Sequence, residues 1–138
     1  MREILFKAKR IDNGKWVEGY VVRKHGLYFI YDIVNSDSCR QNIYEIDPET
    51  LCQFTGLCDK NGNKIWENDI VLVAENVYST VKFGLYHEAM KSERTHQGFY
   101  LESMDNYYYR EELGYWAKES AVVGNIFDNP ELLQEEHK

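Results

Sequence analysis

Three short turn signals constrain this chain more than any other feature. Asp12-Asn13-Gly14-Lys15 separates Ile4–Arg10 from Trp16–Lys24. His25-Gly26 separates that second run from Leu27–Val34, and Asn61-Gly62 separates Leu51–Leu57 from Lys64–Val73. Asn-Gly suits a type I′ hairpin, whose two central residues both need positive φ. The first two turns lie only about 12 residues apart, flanked by β-branched and aromatic residues, which predicts a meander of antiparallel strands.

Alternation agrees. Ile4, Phe6 and Ala8 fall on one face, with Lys7 and Lys9 on the other. Leu27, Phe29, Tyr31 and Ile33 share a face, while Tyr28, Ile30 and Val34 occupy the opposite one, so this strand is expected to be covered on both sides. Val77, Ser79, Val81 and Phe83 alternate with Tyr78, Thr80 and Lys82. Ile70-Val71-Leu72-Val73 is a continuous apolar run of the kind a buried strand shows, and Phe99–Glu102 and Ala121–Gly124 are weaker strands. The polar stretch Tyr86–Gln97 reads as a loop. Helix is scarce. Asn129-Pro130-Glu131 is the best start signal, with an N-cap, a proline for the first helical position and an acid for the dipole. Glu88–Glu93 and Asn106–Leu113 could each hold a turn or two of helix.

With 138 residues and 43% hydrophobic content the chain can bury a core. Sixteen basic against 23 acidic residues give a net charge of −7, which disfavours a general nucleic-acid or anionic-membrane binder, since these displace counterions with positive surface. The acidic excess lies in the second half: residues 1–69 carry 10 basic and 11 acidic residues, and residues 70–138 carry 6 and 12. No apolar run approaches the ~20 residues of a membrane span, and the opening residues, with no apolar h-region, lead us to expect no secretory signal. Cys39, Cys52 and Cys58 are odd in number and form no C-x-x-C pair, so reduced thiols and a cytoplasmic location are expected.

Chemical motifs fail on spacing. Asp59-Lys60-Asn61-Gly62-Asn63-Lys64 glances at a calcium loop, but Gly62 is fourth rather than sixth and Ile70 stands at the twelfth position. His87-Glu88 would need a second histidine where Lys91 stands, and His25, His96 and His137 are scattered. There is no G-x-S-x-G elbow and no P-loop. No catalytic residue, metal or cofactor is therefore expected. The most unusual local feature is aromatic: Tyr107, Tyr108 and Tyr109, followed by Tyr115 and Trp116. Their neighbours Asp105, Glu111, Glu112 and Glu119 outweigh Arg110, the wrong balance for base stacking. A contact with another subunit or protein is the functional reading of this cluster, and burial in the chain's own core the plainer one. An acidic surface could also mimic nucleic acid, but these carboxylates are spread over many segments, which suits ordinary solubility better.

Two stretches carry a family likeness. The segment from Gln53 to Val71, containing Phe54-Thr55-Gly56-Leu57, Asp59-Lys60-Asn61-Gly62 and Glu67-Asn68-Asp69-Ile70-Val71, resembles the signature of the YopX family, small proteins encoded by phages and prophages. That pattern runs from an aromatic through Thr-Gly-Leu and Asp-Lys-Asn-Gly to a closing Glu-Gly-Asp-Ile-Val. Val122-Val123-Gly124-Asn125-Ile126-Phe127-Asp128-Asn129-Pro130-Glu131-Leu132-Leu133 resembles the family's C-terminal motif, and the start, Arg2 to Ala8, its opening strand. Asn68 replaces the usual glycine; if that position is left-handed, asparagine is the next-best residue. The likeness implies a bacterial host and a small SH3-like β-barrel, with no established activity.

The expected fold is thus mainly β: antiparallel hairpins forming a small SH3-like barrel or twisted sheet, with a short C-terminal helix. It is one unit over 1–138, with an N-terminal meander over 1–50, a barrel part over 51–128 and a helix and tail over 129–138. Thr55, Gly56, Leu57, Asp59, Asn61, Gly62, Asp69, Gly124, Asn125 and Pro130 are expected to be structural, Gly56 for a close backbone approach or bulge and Asp69 for the bend before its strand. The expected function is a non-enzymatic accessory role through protein binding, to a host or phage protein or within a homo-oligomer. A nucleic-acid-associated module is one alternative, and it requires Lys7, Lys9, Arg10, Lys15, Arg23 and Lys24 to cluster. An enzyme is the other, and it requires a polar cleft with a strongly perturbed titratable group.

Overall fold

A computed structural model describes residues 4–37, 40–73, 77–87, 93–103 and 110–134. The chain divides into two compact units, Met1–Phe54 and Thr55–Lys138.

The first unit is an antiparallel meander. Its strands are β1 (Phe6–Lys9), β2 (Trp16–Lys24), β3 (Leu27–Asp37) and β4 (Arg40–Glu45), followed by a 3-10 turn at Pro48–Thr50 and the start of β5 (Cys52–Cys58). The spatial order is β4-β3-β2-β1-β5. Turn chemistry sets the register. His25 and Gly26 sit at φ 54° and 80°, both left-handed, so the two-residue β2–β3 loop matches the strand twist and places Lys24 opposite Leu27. The β1–β2 loop closes with Arg10 N–H on the Lys15 carbonyl at 2.9 Å and Lys15 N–H on Asn13 Oδ1 at 2.9 Å. Gly19 answers to packing: a Cβ there would stand 2.0 Å from the Tyr31 carbonyl oxygen.

The inner face gathers Ala8, Ile30 and Ile46, with Val17, Val21, Tyr28 and Leu51 packed on them. Thr50 ties the 3-10 turn to β1, its hydroxyl accepting from Lys9 N–H at 2.8 Å and donating to the Asp47 carbonyl at 2.7 Å. The expectation that the third strand is covered on both sides holds for one face only. Ile30 is fully buried, while Leu27 is 47% exposed and Phe29 and Tyr31 are half-buried. Period-two alternation places those three residues away from Ile30.

The second unit contains the rest of β5, then β6 (Lys64–Trp66), β7 (Asp69–Val73), β8 (Val77–His87) and β9 (Thr95–Glu102). A single helical turn, α1 (Leu113–Trp116), a 3-10 turn at Ala117–Glu119, β10 (Ser120–Asn125) and a 3-10 turn at Pro130–Leu133 complete it. β7 to β10 form an open antiparallel sheet in the order β10-β7-β8-β9. Its core is Ile65, Val71, Val73, Val81, Leu101, Leu113 and Ala117. The chain therefore takes the form of open antiparallel sheets, and no closed barrel exists among the described residues.

Three local expectations change. Both ends of the predicted loop over Tyr86–Gln97 are strand, and 88–92 lie outside the described residues: β8 and β9 stay paired as far as His87 opposite Thr95, because cross-strand bonding satisfies the backbone whatever the side-chain polarity. The C-terminal helix is a 3-10 turn, and Asn129 does not cap it. The Asn129 Oδ1 instead accepts from Asn125 N–H at 3.2 Å. At Asn61-Gly62 only Gly62 is left-handed (φ 85°), so the loop is not type I′. It is a wider turn, with Gly62 N–H on the Asp59 carbonyl at 3.0 Å and Asp59 N–H on the Asn63 carbonyl at 2.8 Å.

Candidate functional site

Asp59 closes the wide β5–β6 turn with its side chain as well. One carboxylate oxygen accepts from the N–H groups of Asn61 (2.9 Å) and Asn63 (2.8 Å). The other accepts from Val122 N–H on β10 at 2.8 Å, across 63 positions of sequence, and from the Asn63 amide at 3.4 Å. Lys60 N–H adds a bond to the Ser120 carbonyl at 2.9 Å, so the turn is stitched to β10 at two points. The residue is only 5% exposed. Burial works to raise its carboxyl, but the N–H groups of Val122, Asn63 and Asn61 outweigh burial and hold it below the ordinary carboxylate range.

The remaining motif residues have similar work. The Thr55 hydroxyl donates to the Ile65 carbonyl at 2.7 Å and accepts from Leu57 N–H, while Leu57 packs on the core. Gly56 sits at φ 87° with nothing within 4 Å of a would-be Cβ, so backbone conformation, and not a close approach, explains it. Asp69 accepts from Trp66 N–H at 2.8 Å, closing the bend before β7 as expected. Asn68 in that bend is left-handed (φ 73°); its N–H reaches the Val81 carbonyl at 2.7 Å and its carbonyl accepts from Ile126 N–H at 3.0 Å. Gly124 lies at a bulge in β10 where a Cβ would stand 2.5 Å from Asn129 Oδ1. The Asn125 side chain accepts from Phe127 and Asp128 N–H, both at 2.9 Å, and Pro130 opens the final 3-10 turn. Within the second unit the two motif segments thus meet through backbone bonds and one buried carboxylate, an arrangement that holds a fold.

In the aromatic segment, Tyr107, Tyr108 and Tyr109 lie outside the described residues. Tyr115 is 52% exposed, with the Arg110 guanidinium 4.6 Å over its ring. Trp116 packs against the core and donates from its indole nitrogen to the Arg110 carbonyl at 2.7 Å, so its ring serves the interior of its own unit. Cys52 is buried and donates to the Thr50 carbonyl, Cys58 is exposed, and Cys39 lies outside the described residues.

A further apolar surface is the outer face of the first unit's sheet, which carries Leu27, Phe29 and Tyr31. Register sets Lys9 beside Trp16 and Lys7 beside Glu18. It sets Tyr20 beside Tyr31 and Val22 beside Phe29, then Tyr31 beside Ile43 and Phe29 beside Glu45. Tyr20 is 54% exposed, Leu27 47% and Ile43 49%. Counting every second residue outward from His25-Gly26 would have found this face. The six basic residues separate. Lys7 and Lys9 hold their ammonium groups 4.7 and 5.5 Å from the Trp16 ring on this face. Arg10 and Arg23 lie over Tyr44 and Tyr28, whose register places them on the inner side. Lys24 shares the outer face, and Lys15 ends the first turn.

No helix among the described residues is long and apolar enough to cross a membrane. No curated protein matches the chain. The family model described as YopX protein matches residues 5–134, taking in both motif segments and the opening strand, and the chain belongs to the YopX family.

Proposed function

We propose that this protein is a non-enzymatic phage or prophage accessory protein of the bacterial cytoplasm, acting through protein contact, and that its contact surface is the outer face of the first unit's sheet, covered by a second copy of the chain. The observation that supports this most is the exposure of Tyr20, Leu27 and Ile43 on the same face as Trp16, Phe29 and Tyr31. Exposed apolar residues gathered on one face mark interaction sites, and Tyr and Trp are favoured there. The face carries both signs of charge, Lys7, Lys9 and Lys24 with Glu18 and Glu45, so a two-fold copy can set plus against minus. Membership of the YopX family supports the phage or prophage origin.

Light scattering across a concentration series tests the reading. The expected mass exceeds 16.4 kDa and rises with concentration. Tyr20→Lys with Ile43→Lys should return it to the monomer value with the circular dichroism unchanged. A monomer mass at every concentration, or a double variant that associates as the parent does, refutes the proposal.

One observation favours a second reading, single-stranded nucleic acid. Trp16 between two lysines is a stacking side chain with cations beside it. Against it stand Glu18 and Glu45 on the same face and the inner position of Arg10 and Arg23. Anisotropy with an oligo(dT) probe at physiological salt should show weak or no binding; tight binding lost in Trp16→Ala would promote this reading.

A further inference from the structure

The ribbon made by β8 and β9 carries a concavity that the motif residues do not explain. Gly84 and Gly98 stand directly opposite each other in its register. With no side chain at either position, the Tyr100 ring settles 3.7 Å from the would-be Cβ of Gly84, and the Tyr86 ring 3.7 Å from that of Gly98. The two rings lie side by side, centroids 5.9 Å apart and planes 34° apart, and together make an aromatic floor.

The outer edge of β9 is closed by the segment before α1. Leu101 N–H bonds the Glu111 carbonyl at 2.8 Å, and Tyr100 bridges to Glu112. That pairing brings the Glu111 carboxylate to the same place, where it also accepts from His87 N–H at 3.4 Å. The result is a cleft of about 280 Å³ lined by Tyr86, Tyr100, Glu102 and Glu111 together with His87 and Leu85.

The carboxylates of Glu102 and Glu111 make the cleft lining acidic. Arg110 and Glu112 pair with each other and largely cancel, leaving Glu102 and Glu111 at the cleft. Lys82 stands opposite Tyr100 in the register but is not among the lining residues. Burial pushes both phenols up, with Glu112 adding to it and Arg110 opposing it at Tyr86, and Glu102 and Glu111 adding to it at Tyr100, so both rings stay neutral at physiological pH. Neutral aromatic faces beside carboxylates attract cations through the ring quadrupole and through Coulomb energy, and they repel anions.

We propose that this cleft binds an organic cation, the guanidinium or ammonium end of an arginine or lysine side chain. It would seat the charge over the Tyr86 and Tyr100 rings, within reach of Glu102 and Glu111. The site belongs to the second unit, and the proposal does not depend on the role of the first unit's outer face.

Nuclear magnetic resonance titration of the full chain tests this with three probes: the N-acetyl methyl amides of arginine, lysine and citrulline, the last a neutral isostere of arginine. Expected is saturable binding of the two cations on the order of 1–10 mM, as befits one solvent-facing cation site, with shifts at Tyr86, Tyr100 and Glu111 and none from citrulline. Stronger shifts with the arginine probe would assign a guanidinium, and stronger shifts with the lysine probe an ammonium. Glu102→Gln with Glu111→Gln should weaken binding about tenfold, because the glutamine at 111 keeps the acceptor for His87 but loses the charge. Tyr100→Phe should keep binding and Tyr100→Leu should lose it, which separates a ring–cation contact from a phenol hydrogen bond. Citrulline binding as well as arginine, or no saturable shift from either cation, overturns the proposal even if a variant fails to fold. Undiminished binding in a folded double glutamine variant overturns it too.

Discussion

Replacing Asp59 by Asn changes almost nothing in volume and removes one link in particular. An Asn side chain offers one oxygen where the carboxylate has two. If the oxygen stays with Asn61 and Asn63, the amide NH₂ faces Val122 N–H, a donor against a donor; if it turns to Val122, the wide turn loses its closure. Either way at least one charge-assisted bond, worth ~1.5–3 kcal/mol, is lost and a partly buried N–H is left without that acceptor. A loss of roughly 2–4 kcal/mol follows, a large share of the ~5–15 kcal/mol that holds a typical domain together. At ~4–8 °C per kcal/mol for a unit of this size, the melting temperature should fall by at least about 8 °C.

The assay is thermal unfolding by circular dichroism, with amide exchange at Val122 as the local readout. The effect should also depend on pH, with a known sign. The native carboxyl of Asp59 is depressed, so its stabilisation is full above the unfolded value of about 4 and disappears as pH falls through the lower native value. The gap between parent and Asp59→Asn should therefore narrow from pH 6 toward strongly acid solution. A variant that melts within ~2 °C of the parent at pH 6 would refute the bracing role, since the smallest single bond considered is worth several degrees.

Two glycines give further tests by different mechanisms. Gly19→Ala puts a methyl group 2.0 Å from a backbone oxygen that cannot step aside without parting β2 from β3, so the first unit should lose its cooperative melt. Gly62→Val forces a β-branched residue to φ 85° in open space, and ~1–3 kcal/mol of backbone strain should appear as a lower denaturant midpoint; an unchanged midpoint would refute the assignment.

Local chemistry wrote much of this fold into the sequence. The His25-Gly26 turn fixes positive φ at two adjacent positions, so a β2–β3 hairpin follows from those residues alone. The run Ile70–Val73 announces a buried strand, and the acceptor role of Asp69 in the bend is legible because its donor, Trp66 N–H, lies three residues away. Asn68 shows the same locality, since left-handed tolerance belongs to the residue itself. Interactions between distant segments could not be read in this way. Nothing near Asp59 in sequence reveals that Val122 supplies a donor to its carboxylate. Asn129 carries every mark of an N-cap, yet its oxygen serves Asn125 N–H, four residues back, in the turn that follows β10. By sequence Trp116 is open to either a contact or a core role, and only the assembled core shows its ring packed inward. The outer face and the cleft depend on which strands become neighbours: a hydrophobic pattern gives each strand two sides, but pairing and packing decide which side is covered.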